Sequence, residues 1–184
     1  MPTQPLDADL LRRALHSLAA ALPPSPQGDL ILIGGTAGML TGQLPSNRLT
    51  SDLDVIEITP PELLDLCCHL APHISDPTGI SESWFDATST TMRHTLLDGW
   101  RDRTEDIGRF GCLHVKAVGR LDLIALKLLA GRERDLADVA ALRVTTRECS
   151  VLADMLPQLL RRGVPPESIT SAISLARALG GNRG

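Results

Sequence analysis

The chain has 184 residues, 43% of them hydrophobic and 22% charged, which is the composition of an ordinary globular domain and excludes a disordered tail. Its 22 acidic against 18 basic side chains give a formal charge of -4, so a globally cationic, nonspecific nucleic-acid binder is excluded and only a local basic patch stays open. With two Phe, two Trp and no Tyr there are few rings on which single-stranded bases could stack. The longest apolar runs fall well short of the ~20 residues of a bilayer span, and the opening segment MPTQPLDADLLRR carries acid where a secretory signal carries base. The expectation is a cytoplasmic protein with no membrane partner.

Residues 6–22 place apolar groups at helical spacing, and the three prolines of PPSPQG stop that helix for want of amide donors. The short apolar run from Leu30 to Ile33, bounded by glycines, reads as a strand buried on both faces. TAGMLTGQL is a helix weakened by Gly38 and Gly42, and PSNRLTS is a loop by its turn residues. SDLDVIEIT then alternates as a strand, placing Asp52, Asp54 and Ile56 on one face and Leu53, Val55 and Glu57 on the other.

Pro60 and Pro61 open a helix to about Leu70, since a proline in the first turn gives up only an amide that has no partner there. Residues 72–98 show no clear period beyond a short element at Trp84–Thr88. Residues 100–107 and 112–118 read as an antiparallel hairpin joined by GRFG. Four helices follow, at 121–130, 135–143, 149–162 and 166–179. The fold class expected is α/β (α+β): a small mixed sheet flanked by helices, in one domain over 1–184, with a helical C-terminal layer at 149–179.

Cys67, Cys68, Cys112 and Cys149 form no CxxC and pair with no histidine at zinc-finger spacing, so they read as reduced, mostly buried thiols. The feature that carries chemistry is a strand running into Gly34-Gly35, a helix, and then Arg48-Leu49-Thr50-Ser51-Asp52-Leu53-Asp54-Val55 on the next strand. Glycines at a strand end let backbone amides approach phosphate closely. Two carboxylates on one strand face can share divalent cations that bridge nucleotide phosphates. Either half alone is commonly a plain turn or a solvated strand end; together, at this spacing, they point to nucleotide chemistry.

These residues resemble the DNA polymerase beta-like nucleotidyltransferase superfamily, whose fingerprint is Gly-Gly or Gly-Ser, a helix, and Asp-x-Asp on the following strand. The Arg48-to-Asp54 form is similar to a bacterial branch of abortive-infection toxins and small nucleotidyltransferase-like proteins. The segment from Asp122 through Lys127 and Arg134 to Asp135 and Asp138 is similar to the lysine helix and Arg-Asp-x-x-Asp stretch of that branch. The likeness covers residues 29–143.

The resemblance implies that Asp52 and Asp54 hold Mg2+ or Mn2+, that Gly34, Gly35 and Thr36 shape a phosphate loop, and that Arg48, Thr50, Lys127, Asp135 and Asp138 serve the nucleotide. From the residues alone, Lys127 reads equally as a lysine whose stem lies among core leucines, Asp135 as a helix cap, and Arg134 with Asp138 as a surface pair. If instead the Lys127 ammonium neutralises phosphate charge, Lys127→Met keeps most of the stem and holds stability within about 1 kcal/mol while NTP affinity or turnover falls about tenfold or more. The third carboxylate of the superfamily site is not placed by the sequence: Asp86, Asp102 and Glu105 are candidates, Asp86 being set beside Asp52 and Asp54 as catalytic, and His114 is a base in principle.

The reaction implied is transfer of a nucleoside monophosphate from an NTP to an acceptor with release of pyrophosphate. The toxin-like branch points to an RNA end, a tRNA acceptor stem among them, in a toxin or phage-defence setting restrained by a separately encoded antitoxin. A small antibiotic or a protein side chain would use the same donor chemistry. The alternative from another class is a noncatalytic nucleotide-binding or protein-interaction module on the same fold.

Overall fold

The computed structural model describes residues 5–45, 47–78 and 80–181. The chain gathers into two compact units. The first runs to Thr91 and takes back Thr104–Val118; the second combines Met92–Arg103 with the chain from Gly119 onward.

In the first unit, α1 (Ala8–Ala21) is started by Asp7, whose carboxylate accepts the Leu10 amide, and it buries Leu10, Leu11, Ala14, Leu15 and Leu18 as one stripe. β1 (Gly28–Leu32) leads into α2 (Gly34–Leu40), then β2 (Leu53–Thr59), α3 (Pro61–Thr78), the two-residue β3 (Phe85–Asp86), β4 (Glu105–Phe110) and β5 (Leu113–Ala117). The five strands form one mixed sheet in the order β3-β2-β1-β5-β4. β1 runs antiparallel to β2 and parallel to β5, β2 parallel to β3, and β4 antiparallel to β5. β1 is therefore a central strand, which accounts for the unbroken apolar run the sequence shows there. Trp84 is fully buried and satisfies its indole N–H on the Ala71 carbonyl at 2.9 Å, which anchors the chain just before β3.

In the second unit, α4 (Arg120–Ala130), α5 (Glu133–Ala141), α6 (Thr146–Met155) and α7 (Pro166–Gly181) are joined by a 3-10 segment at Leu156–Arg162. Leu123, Ile124, Leu128, Leu152, Leu156, Leu159, Ala172 and Ala176 make its core. The 3-10 stretches at Thr88–Thr95 and Trp100–Arg103 carry the chain out of the first unit and back.

The fold class is as expected: a mixed α/β structure with a five-stranded mixed sheet and helices. Four local expectations are corrected. The helix opened by Pro60 and Pro61 runs to Thr78 and not only to about Leu70, its buried stripe of Leu63 and Cys67 continuing at Ala71. Residues 100–103 form a 3-10 turn, and the first hairpin strand begins only at Glu105. The hairpin reverses at Gly111-Cys112, where Gly111 takes φ +54° against the Ala19 carbonyl, so GRFG mostly belongs to the strand. The single helix read over 149–162 breaks at Leu156, because Pro157 has no amide to continue the α-helical ladder.

Candidate functional site

The site lies where β1 ends and β2 begins. Leu32 pairs with Val55, and the Ile33 amide donates to the Asp54 carbonyl at 3.0 Å, carrying the ladder one residue past the strand. Gly34 follows at φ +69°, a conformation glycine adopts without penalty. A β-carbon there would sit well inside van der Waals contact of Asp54 Oδ2, so glycine both turns the chain and leaves room for the carboxylate. A β-carbon at Gly35 would meet the Arg48 guanidinium at 3.1 Å, which puts that cation beside the turn.

On the outer side of β2, β3 adds in parallel register with Leu53 opposite Phe85 and Asp54 opposite Asp86. The Leu53 amide donates to the Trp84 carbonyl at 2.6 Å, fixing that register. Two residues of strand are enough to bring the third acid in. Asp52, Asp54 and Asp86 each offer a carboxylate oxygen, and these oxygens all lie within 4.8 Å of one another. All three side chains are half-buried.

Oxygen donors alone, with no thiolate or imidazole, suit a hard cation such as magnesium or manganese. The donor set therefore fits the divalent cation expected from the sequence.

The surrounding hydroxyls hold this centre in place. Thr36 is fully buried and donates to the Asp52 carbonyl at 2.7 Å, and Thr50 donates to the same oxygen at 3.3 Å and to Asp52 Oδ1 at 3.4 Å. Both threonines expected at the nucleotide are thus placed on Asp52. Ser89, which sequence reading missed, is buried and donates to Asp54 Oδ1 at 3.4 Å. Nothing in the sequence singles Ser89 out from its Ser/Thr-rich neighbours. Asp86 Oδ1 accepts both the amide and the hydroxyl of Thr88, at 2.7 and 2.6 Å, which fixes its rotamer. Arg48 is half-buried and donates to the Leu49 carbonyl.

The rival acids lie elsewhere. Asp102 sits on the 3-10 turn of the second unit, and Glu105 accepts the Gln43 amide at 2.8 Å at the start of β4. His114 is held between Asp106 (2.5 Å) and Asp29 (3.3 Å). Asp29 pairs with Thr59, so this cluster occupies the opposite end of β1 and β2 from Asp54.

Matching of family models finds a nucleotidyltransferase of unknown function, DUF6036, over residues 10–159. The chain belongs to this nucleotidyltransferase family. No curated protein and no solved structure gives a significant match. The DUF6036 match runs through Gly34-Gly35, the three acids and the Lys127 helix alike.

In the second unit, Lys127 of this DUF6036 chain is 4% exposed and its ammonium lies 2.6 Å from Asp138 Oδ2 and 3.3 Å from Asp135 Oδ1. Arg132 adds a bond to Asp135 at 2.7 Å. Lys127, Asp135 and Asp138 are thus brought together, tying α4 to α5. Two of the ammonium's three donors are taken by carboxylates, and its burial leaves an anion little access to Nζ. Asp135 does lie in the first turn of α5, but its oxygens are spent on cations rather than on capping amides.

Of the cysteines, Cys67, Cys112 and Cys149 are buried, whereas Cys68 is exposed. Burial, followed by the neighbouring Cys68 and Cys112, pushes the Cys67 thiol up to about 12, so it stays an inert core thiol. Among the described residues no helix is long and apolar enough to cross a membrane.

Proposed function

We propose that the protein transfers a nucleoside monophosphate from an NTP to an acceptor hydroxyl, releasing pyrophosphate, at the centre made by Asp52, Asp54 and Asp86. The observation that carries this reading is the convergence of three carboxylates within 4.8 Å beside the Gly34-Gly35 turn, in a chain of a nucleotidyltransferase family.

Asp52 and Asp54 would hold Mg2+ or Mn2+, which when bound neutralises triphosphate charge and withdraws electrons from phosphorus. The chain's own residues do the rest. Asp86, held by Thr88, takes the proton of the attacking hydroxyl. The acceptor oxygen bonds to the α-phosphorus, the bridge from that phosphorus to the β-phosphate breaks, and pyrophosphate leaves with the bonding pair. Thr36, Thr50 and Ser89 keep Asp52 and Asp54 oriented, and preorganised charge of this kind lowers the reorganisation needed during reaction. Gly34 leaves the Asp54 carboxylate uncovered, and Gly35 gives the triphosphate close access to backbone and to Arg48.

The Arg48-to-Asp54 motif favours an RNA end as acceptor, a tRNA acceptor stem first, in the toxin or phage-defence setting of the branch it resembles. A separately encoded antitoxin is the partner that setting supplies, and the cytoplasm is its compartment.

The test is incubation with each α-labelled NTP, magnesium and total cellular RNA, following labelled RNA and pyrophosphate together. The expected result is label in RNA with wild type, and no transfer with Asp86→Asn although that variant still binds NTP. NTP binding by wild type without transfer to any acceptor would replace this reading with the noncatalytic module.

A further inference from the structure

The second unit carries a cationic cleft that the three-acid centre does not use. Arg93, Gly99, Trp100, Arg101, Asp102 and Arg162 line a cavity of about 410 Å³. Its three arginines come from three separate segments, Thr88–Thr95, Trp100–Arg103 and Leu156–Arg162. Three arginines against Asp102 and the Asp98 that pairs with Arg162 leave the cleft positive by one charge in a chain whose formal charge is -4. A local reversal of sign of this kind concentrates anions at one place on the surface.

Two of the three cations are held in position. Arg101 lies over the Trp100 ring at 4.5 Å, and that ring is 5% exposed and hence fixed. Arg162 donates to the Leu96 carbonyl at 2.7 Å and pairs with Asp98. Next to them Arg103 grips the fully buried Asp122 with two bonds of 2.8 Å and donates to the Asp98 carbonyl at 2.9 Å. Fixing the guanidiniums in advance removes part of the ordering cost of binding.

Guanidiniums approaching from three elements suit an anion with oxygens on several sides, which is a phosphate; a carboxylate offers two oxygens in one plane, matched by a single fork. Two sources could bring that phosphate, a free nucleotide or a nucleic-acid backbone. Arg93 and Arg101 are exposed, and the buried Trp100, with Arg101 stacked on it, offers no platform on which a base could stack. The cleft therefore suits a strand passing across it, gripped by its phosphates without regard to base. We infer that this cleft binds the phosphate backbone of the nucleic-acid acceptor, an inference that rests on the nucleotidyl transfer proposed above.

Fluorescence anisotropy of a short labelled RNA, and of DNA of the same sequence, tests this across a salt series. Arg93→Gln/Arg101→Gln should weaken binding about tenfold or more at low salt and flatten the log–log salt slope by roughly 0.7 for each phosphate no longer neutralised. Arg93→Lys/Arg101→Lys, which keeps the charge, should recover most of the affinity, and Arg147→Gln, an exposed arginine on α6, should bind like wild type. Melting temperatures of all variants separate weaker binding from a damaged fold.

Three results overturn the inference: RNA affinity equal in wild type and the double glutamine variant; displacement of RNA by polyglutamate as readily as by unlabelled RNA; or loss of NTP binding in place of RNA binding. Manganese-dependent NTP binding is titrated on the same preparations. Its absence beside arginine-dependent RNA binding would sink the proposed reaction while leaving the cleft a nucleic-acid site.

Discussion

Removing the Lys127 ammonium should unfold the second unit far more readily than its sequence suggests. Side chains of Lys127, Asp135 and Asp138 are 4%, 8% and 6% exposed, so Lys127→Met leaves two carboxylates in a dry site without their shared cation. Asp135 retains Arg132, which is 72% exposed and a weak substitute; Asp138 is deprived of the ammonium at 2.6 Å. Methionine fills nearly the same volume, so packing changes little. Breaking a buried pair from one side costs about 3–5 kcal/mol, and Arg132 keeps the cost at the lower end, about 3–4 kcal/mol. For a chain of this size that is a fall in Tm of about 6–16 °C. This reverses the near-neutral outcome expected from the sequence.

Urea denaturation followed by circular dichroism measures the destabilisation directly. Lys127→Met/Asp138→Leu should recover at least half of it, because an apolar replacement of both partners no longer strands a charge. A single variant within about 1 kcal/mol of wild type would refute the reasoning and return Lys127 to an exposed, ligand-facing role.

Gly34→Ala forces a β-carbon into the left-handed region and against Asp54 Oδ2; it should cost about 1 kcal/mol from backbone strain and also abolish manganese binding, both readable by calorimetry. Glu148 should contribute a pH-dependent share of stability. Burial alone would raise its carboxyl, but hydrogen bonds from Arg120 and from the backbone and side chain of Thr145 outweigh that and hold it below its usual 4.5. A depressed folded-state value means the stabilisation is full above the unfolded value and is lost as pH falls through the folded one. Glu148→Gln, which also weakens the capping box of α6, should therefore cost roughly 1 kcal/mol near neutral pH and progressively less below pH 4.5 in parallel denaturation curves.

Periodicity makes most elements legible because their burial is one-sided or complete. The α1 stripe has a helical spacing, the apolar β1 run is too short and too closely bounded by glycines for a helix, and β2 alternates over its first residues, Leu53 to Val55. Asp52 and Asp54 share a face for the same reason, since a strand repeats every two residues. β3 lies beyond that logic. Two residues carry no period, and what places Asp86 beside Asp54 is the burial of Trp84 and its bond to Ala71, a tertiary anchor invisible in local pattern. The role of Lys127 is hidden in the same way, because its partners lie eight and eleven residues on, across a helix break at Gly131 whose angle no sequence spacing gives. The arginine cleft likewise draws on residues 93 to 162, and only the fold reveals that their charges converge.

The three-acid centre is tested most directly by calorimetric titration of a nonhydrolysable NTP analogue into wild type and Asp52→Asn/Asp54→Asn, each with and without manganese. Wild type should bind only when manganese is present, and the double variant should not bind at all. The metal-free double variant should also melt no lower than wild type, since two of three crowded like charges are gone. Wild type that binds no nucleotide with manganese, together with a double variant that unfolds, would make the acids structural and contradict the assignment of this centre to nucleotide chemistry.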